Sequence, residues 1–248
     1  MKQALKNSDV VVGATTENVE EIEKSIGKKH HSIVRYLPEN CINEVFDLNY
    51  KKFDAPKINM VFIGWMETRK APLIILEALL KMKEDDRDKL RISYLGSGPM
   101  KDICENFVKN NNLTNVVKVM GRVERNEVFK MVSEAQLMLL PSLYDANTTV
   151  VWEAMAHAVP TLCLDHCGMR DTTKEKSGFK IPVTQYSSIV DKITEVFTTI
   201  VENPSRLKQK AESLLEDRME YTWKKRIEKF EEIYALAEEN FKKRKVKN

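Results

Sequence analysis

Short apolar runs alternate with amphipathic stretches along most of this chain. The apolar runs predict strands at residues 9–14, 33–37, 58–64, 91–96, 116–120, 137–141, 161–164 and 179–182. Between the later runs, apolar residues recur at helical spacing over 71–83, 99–111, 125–134 and 148–158. Short strands alternating with helices of about 10–14 residues predict βαβ units and a parallel sheet covered on both faces. The strands between residues 58 and 182 suffice for one doubly wound domain. Beyond residue 183 the pattern turns helical over 187–201, 205–215 and 221–243, with Asn203-Pro204 marking the first break.

The first fifty residues fit poorly as a domain of their own. They supply a short helix, a strand, a charged helix over 17–25 and a second strand ending at Pro38. Two strands and two helices leave a sheet face uncovered, so the expectation is the end of a preceding domain rather than an extension of the main sheet.

Composition adds a modest amount. A chain of 248 residues with 42% hydrophobic and 31% charged positions supports both a core and a water-facing surface. No apolar run approaches the roughly 18 residues of a membrane-spanning helix, and the start lacks the long apolar stretch of a secretory signal. The net charge of +3 lies largely in the terminal FKKRKVKN. That tail reads first as a solvated helix end and next as a contact with an anionic membrane surface. No nucleic-acid partner is expected. Cys41, Cys104, Cys163 and Cys167, in a chain without a secretory signal, predict reduced thiols and a cytoplasmic location. Cys163, His166 and Cys167 are close together, but Cys163 falls inside an apolar strand and no second Cys/His pair has ligand spacing. No metal site is expected.

Candidate chemistry gathers where strands end. Ligands of open parallel sheets sit beyond the carboxyl ends of the strands. After strand 58–64 come Gly64, Trp65, Arg69 and Lys70, and the two cations suit a diphosphate. After 91–96 comes Gly96-Ser97-Gly98-Pro99, where glycines permit a close backbone approach to a ligand. Lys101 occupies the third position of a G-x-G-x-x-G pattern, which argues against a dinucleotide cofactor. The next strand ends in Gly121-Arg122-Val123. The loops after 137–141 and 161–164 carry Asp145, Asn147, Thr148, Thr149, His166, Gly168, Met169 and Asp171, and Glu153 lies on the intervening apolar helix. A glutamate in a largely buried helix needs a partner. Carboxylates accept from sugar hydroxyls, whereas Lys70 and the amides opening the 148–158 helix suit phosphate. A nucleotide-sugar has that distribution of groups.

Together these motifs resemble the carboxy-terminal half of retaining GT-B glycosyltransferases of the glycosyl transferases group 1 family. The family's G-R-x4-K-G element corresponds to Gly64-Trp65 through Lys70-Ala71, its G-x-G-P turn to residues 96–99, and a further strand exit to Gly121–Val123. Its E-x7-E signature followed by A-M-A-x-G-x-P corresponds to Asp145, Glu153 and residues 154–160. The resemblance implies a GT-B type α/β fold: a Rossmann-like doubly wound parallel sheet, a remnant of a preceding α/β domain, and a C-terminal helical crossover. The division it implies is 1–50 for the end of the acceptor domain plus connector, 51–220 for the donor domain, and 221–248 for the crossover helix and basic tail.

The resemblance assigns Lys70 to the donor diphosphate, Glu153 to ribose hydroxyls and Asp145 to the donor sugar, and these three are the candidate catalytic residues. Arg122 and Val123 are placed by the nucleobase, with Gly168 and Met169 lining the sugar or diphosphate. The implied partners are a UDP-, GDP- or ADP-sugar and a glycan or lipid-linked acceptor, at the cytoplasmic face of the membrane and in bacterial surface polysaccharide synthesis. No cofactor or metal is implied. The acceptor-side groups are expected to come largely from the rest of the first domain, so this polypeptide alone is expected to bind donor but turn it over poorly or not at all. Trp65 replaces the family's diphosphate arginine, with Arg69 as the candidate replacement. Asp145 is one methylene shorter than the usual glutamate. Ala158 replaces a glycine, a change expected to affect packing only. The alternatives are a sugar-nucleotide epimerase of the same fold and a non-catalytic nucleotide-sugar-binding or interaction module.

Overall fold

The computed structural model describes residues 2–27 and 30–247. Its strands are β1 Val10–Gly13, β2 Ile33–Tyr36, β3 Ile58–Ile63, β4 Leu90–Leu95, β5 Val117–Gly121, β6 Leu137–Leu140, β7 Thr161–Leu164 and β8 Gly178–Ile181. Each lies within a residue or two of a predicted run. β3 to β8 form one parallel sheet in the order β5-β4-β3-β6-β7-β8. The chain starts in the middle, winds outward to β5, returns past β3 and winds the other way. The reversal between β3 and β6 opens a crevice at the carboxyl edge, the usual ligand position in this architecture.

The strands are apolar on both faces because both faces are covered. Met60 and Phe62 of β3, Leu137 and Leu139 of β6, and Leu162 and Leu164 of β7 face one core, shared with Ile74, Ile75, Leu79, Ile193 and Phe197. The alternate residues Val61, Met138, Leu140 and Cys163 face a second core, with Val132, Trp152, Met155 and Leu214. Phe62 and Tyr94 stack with centroids 4.9 Å apart, and the buried Tyr94 hydroxyl donates to the Pro72 carbonyl. A phenol packed this deeply needs such an acceptor.

β1 and β2 pair only with each other, in a separate two-stranded parallel sheet. The long helix Trp223–Lys247 runs back to this sheet, where Asn240 Nδ2 donates to the Asp9 and His31 carbonyls at 2.9 and 2.8 Å. The segment between is tied to the sheet domain by Ile42, whose amide donates to the Tyr221 carbonyl at 2.8 Å. Among the described residues, no helix is long and apolar enough to cross a membrane.

Two short helices, Glu84–Arg87 and Cys167–Thr172, are additional to the predicted set. The helix predicted from residue 99 begins at Lys101, because the preceding turn is held to the β3 exit by Met100 N–H on the Met66 carbonyl. Ala158 departs from expectation more informatively. It ends the Thr149–Ala156 helix in the left-handed region, φ 51°, with its amide on the Met155 carbonyl and the Val159 amide on the Ala154 carbonyl. That pair of bonds is a Schellman motif, whose left-handed position favours glycine. The departure therefore costs backbone strain rather than packing. Ala158→Gly is expected to raise stability by about 1 kcal/mol in denaturant unfolding. An unchanged or lower midpoint would show that the left-handed turn carries no penalty there.

Candidate functional site

Past the sheet edge the loops continue side by side. Gly64 N–H donates to the Leu95 carbonyl, Met66 N–H to the Ser97 carbonyl and Gly96 N–H to the Gly121 carbonyl. A Cβ on Gly96 would stand 2.0 Å from the Gly64 oxygen, and one on Gly98 would stand 2.4 Å from the Met66 oxygen. These glycines serve the packing of one loop on the next. They permit contact between neighbouring backbones, and Gly98 lies against Met66. Beside the contact lies a cavity of 340 Å³ lined by Ile63, Gly64, Trp65, Leu95, Gly96, Ser97, Arg122, Val123 and Val128. Gly64, Trp65, Gly96, Arg122 and Val123 are thus brought together. An apolar hollow with an indole and a guanidinium on its walls suits a planar heteroaromatic ring.

Lys70 closes a 3-10 turn, Thr68–Lys70, that leads through left-handed Ala71 (φ 47°) into the helix Pro72–Lys81. Its side chain is buried, and Nζ donates to Asp145 Oδ2. Arg69 is exposed and reaches the same loop, with NH1 2.9 Å from the Tyr144 carbonyl and 3.7 Å from Asp145 Oδ2. It also pairs with Glu67 at 2.7 Å. The Leu143 amide donates to the Arg69 carbonyl, so the β3 and β6 exits are joined by backbone and side chain together. Two candidates that the sequence assigned to neighbouring groups of a ligand, the diphosphate and the sugar, are an ion pair.

Glu153 is largely buried, and its Oε1 accepts from Arg125 NH2 at 2.8 Å. Arg125 is the partner that the sequence did not reveal. It opens the helix Arg125–Glu134 and lies over the Phe129 ring at 4.6 Å. Glu153 and Thr149 line a second, larger cavity of 810 Å³ between the 41–47 segment, the helix carrying Phe129, and the Thr149–Ala156 helix with the following His157. His157 stacks on Phe46 at 4.2 Å. Burial, with the nearby Lys52 and Arg218 charges, pushes the His157 imidazole down to about 4. Thr148 caps the Thr149–Ala156 helix without a side-chain bond to its amides. Asn147 is occupied structurally: Oδ1 accepts from Trp152 Nε1 at 2.6 Å, and its carbonyl accepts from Asn40 Nδ2 at 3.3 Å.

The β7 exit meets the amino-terminal unit. Asp171 accepts from Thr16 N–H at 2.8 Å and Thr16 Oγ1 at 2.7 Å. His166 Nδ1 lies 3.2 Å from Glu17 Oε1, which also accepts from the Cys167 amide. Gly168 is held under the β6 loop, its amide on the Asp145 carbonyl at 3.1 Å, and a Cβ there would come 1.6 Å from the Ala146 oxygen. Met169 is corrected: its side chain is buried in the second core, away from the crevice.

Asp145→Ala leaves the Lys70 ammonium buried without its carboxylate, and unfolding is expected to become easier by about 3–5 kcal/mol. Pairing Asp145→Ala with Lys70→Met should recover most of that loss. A single-variant cost below about 1 kcal/mol in chemical denaturation would mean that the pair behaves as an exposed one.

Residues 47–214 match the family described as glycosyl transferases group 1. The chain is 24% identical over 149 residues to the putative colanic acid biosynthesis glycosyltransferase WcaL of Escherichia coli K12, covering 57% of this chain and 36% of that protein. In structure it is similar to the pneumococcal O-GlcNAc transferase GtfA in complex with UDP and GlcNAc, with TM-score 0.74, 16% identity, and coverage of 94% of this chain and 45% of that one. It is also similar to Anabaena Alr3699/HepE in complex with UDP, with TM-score 0.71, 14% identity, and coverage of 92% and 64%. These likenesses show the fold, that of GT-B glycosyltransferases. The stretch matched is about a third of the length of the colanic acid relative. With the family matched over more than half its length, the chain belongs to the glycosyl transferases group 1 family.

Proposed function

We propose that the crevice at the carboxyl edge binds a nucleoside diphosphate sugar and that the sugar is transferred with retention to a glycan or lipid-linked acceptor. The observation that carries this reading is the 340 Å³ cavity beside the β3–β6 reversal, because it joins Trp65, Arg122 and Val123 from separate loops, and its wall residue Gly64 faces the Lys70 side chain. The base occupies that cavity. The diphosphate draws on Lys70, Arg69 and the uncapped amides of the Thr149–Ala156 helix. Glu153 accepts from the ribose hydroxyls. For Lys70 to face the diphosphate, its pair with Asp145 must open, and the freed carboxylate then accepts from the sugar.

Cations gathered on the diphosphate stabilise charge that develops on the leaving group, which is where electrostatic catalysis acts. The reading is supported by similar proteins, a putative colanic acid biosynthesis glycosyltransferase and structures of the same fold in complex with UDP. The same reading places the protein on the cytoplasmic side, with the basic end of the Trp223–Lys247 helix against an anionic membrane surface. Exposed Phe241, Lys242, Lys243 and Lys245 support that contact.

Calorimetric titration with UDP, GDP, ADP and their common sugar conjugates tests donor binding. One nucleotide series should bind, and Glu153→Ala and Lys70→Ala should each weaken it by on the order of tenfold, the loss of one charge-assisted hydrogen bond. Binding that both variants leave unchanged, or none across the panel, would count against the reading.

A further inference from the structure

The contact between the amino-terminal unit and the β7 exit brings together side chains from opposite ends of the chain. Glu17 stands in the first turn of the helix Thr16–Ile26, while His166 and Cys167 are consecutive residues at the start of the Cys167–Thr172 turn. A carboxylate oxygen of Glu17, a ring nitrogen of His166 and the Cys167 sulfur all lie within 4.8 Å of one another. The backbone at Cys167 is left-handed, φ 49°, and the His166 ring nitrogen and the Cys167 amide both lie 3.2 Å from the same Glu17 oxygen. Asp171 fixes the other component by accepting from the Thr16 amide and hydroxyl at 2.8 and 2.7 Å, which seats the residue before Glu17.

We propose that Glu17, His166 and Cys167 form a divalent-metal site, zinc by its chemistry, that ties the amino-terminal unit to the loop after β7. Zinc takes carboxylate, imidazole and thiolate together, at about 2.0–2.3 Å, so its ligand atoms stand roughly 3.3–3.8 Å apart in a tetrahedron. The His166 Nδ1 to Glu17 Oε1 distance of 3.2 Å is already close to that. A mixed O, N, S set excludes calcium and magnesium, which take oxygen alone. The fourth position is left to water. The metal displaces the thiol proton to solvent on binding.

The position already attracts positive charge. The Arg170 guanidinium lies 3.4 Å from the same Glu17 oxygen. Arg170 also donates to the Asp165 carbonyl at 2.9 Å, and this anchor remains when a metal takes the carboxylate. His166 and Glu17 are partly exposed, which leaves a path from solvent. Cys163, the other nearby thiol, is fully buried in β7 beside the Met169 carbonyl and takes no part.

The test uses the full chain, stripped with a chelator and titrated with zinc chloride by calorimetry and with cobalt(II) by absorption. One zinc per chain is expected, along with a higher melting temperature and a thiolate-to-cobalt charge-transfer band. Cys167→Ser should remove the band and weaken zinc on the order of tenfold or more. His166→Ala and Glu17→Gln should also weaken zinc, while Cys163→Ser should leave it unchanged. Absence of the cobalt–thiolate band in the wild-type protein would overturn the proposal whatever the variants do. So would zinc bound as tightly by Cys167→Ser as by the wild type.

Discussion

At the one place where the sheet reverses its winding, a buried lysine and a partly buried aspartate meet. Lys70 comes from the turn after β3, Asp145 from the loop after β6, and their contact spans the crevice that the reversal opens. The Asp145 backbone carbonyl holds the Gly168 amide, so the β7 exit is tied to the same residue. Arg69 reaches the neighbouring carbonyl of Tyr144. Three loops thus take their positions from one short stretch. A buried ion pair is weak evidence of net stability, since desolvation offsets much of the attraction. It is a good device for holding two loops in register until a competing anion arrives.

Around that pair the architecture separates two kinds of surface. Toward β4 and β5, glycine-dependent contacts between backbones leave a small apolar hollow with Trp65 and Arg122 on its walls. Toward the 41–47 segment lies a larger cavity, with Glu153 on its rim and His157 stacked on Phe46. Size alone favours the larger one. Position favours the smaller, because it opens where parallel sheets of this topology receive ligands and where a cation stands next to it.

Much of the fold was legible in the sequence because its strands are buried on both faces. LMLL is a continuous apolar segment and INMVFI is broken only by Asn59, both are bounded by polar loops, and the period changes sharply into each helix. The strand-end positions are legible for the same reason, and Gly64, Trp65, Gly96, Arg122 and Val123, which stand at such ends, share one cavity. What escaped was non-local or conformational. Arg125 is 28 residues from Glu153, and Glu17 is 150 from Cys167, separations at which no local pattern signals contact. Met169 looks like a loop residue by position but is drawn into the core by its short helix. Ala71 and Ala158 both replace family glycines, yet only the backbone dihedrals reveal that both are left-handed.

Hydrogen exchange with and without a saturating nucleotide distinguishes the two cavities most directly. Bound nucleotide should slow exchange in the loops at 63–66, 95–98 and 121–124, the walls of the smaller hollow. Protection confined to 41–47 and 129–133 would place the ligand in the larger cavity and contradict a donor site at the β3–β6 reversal.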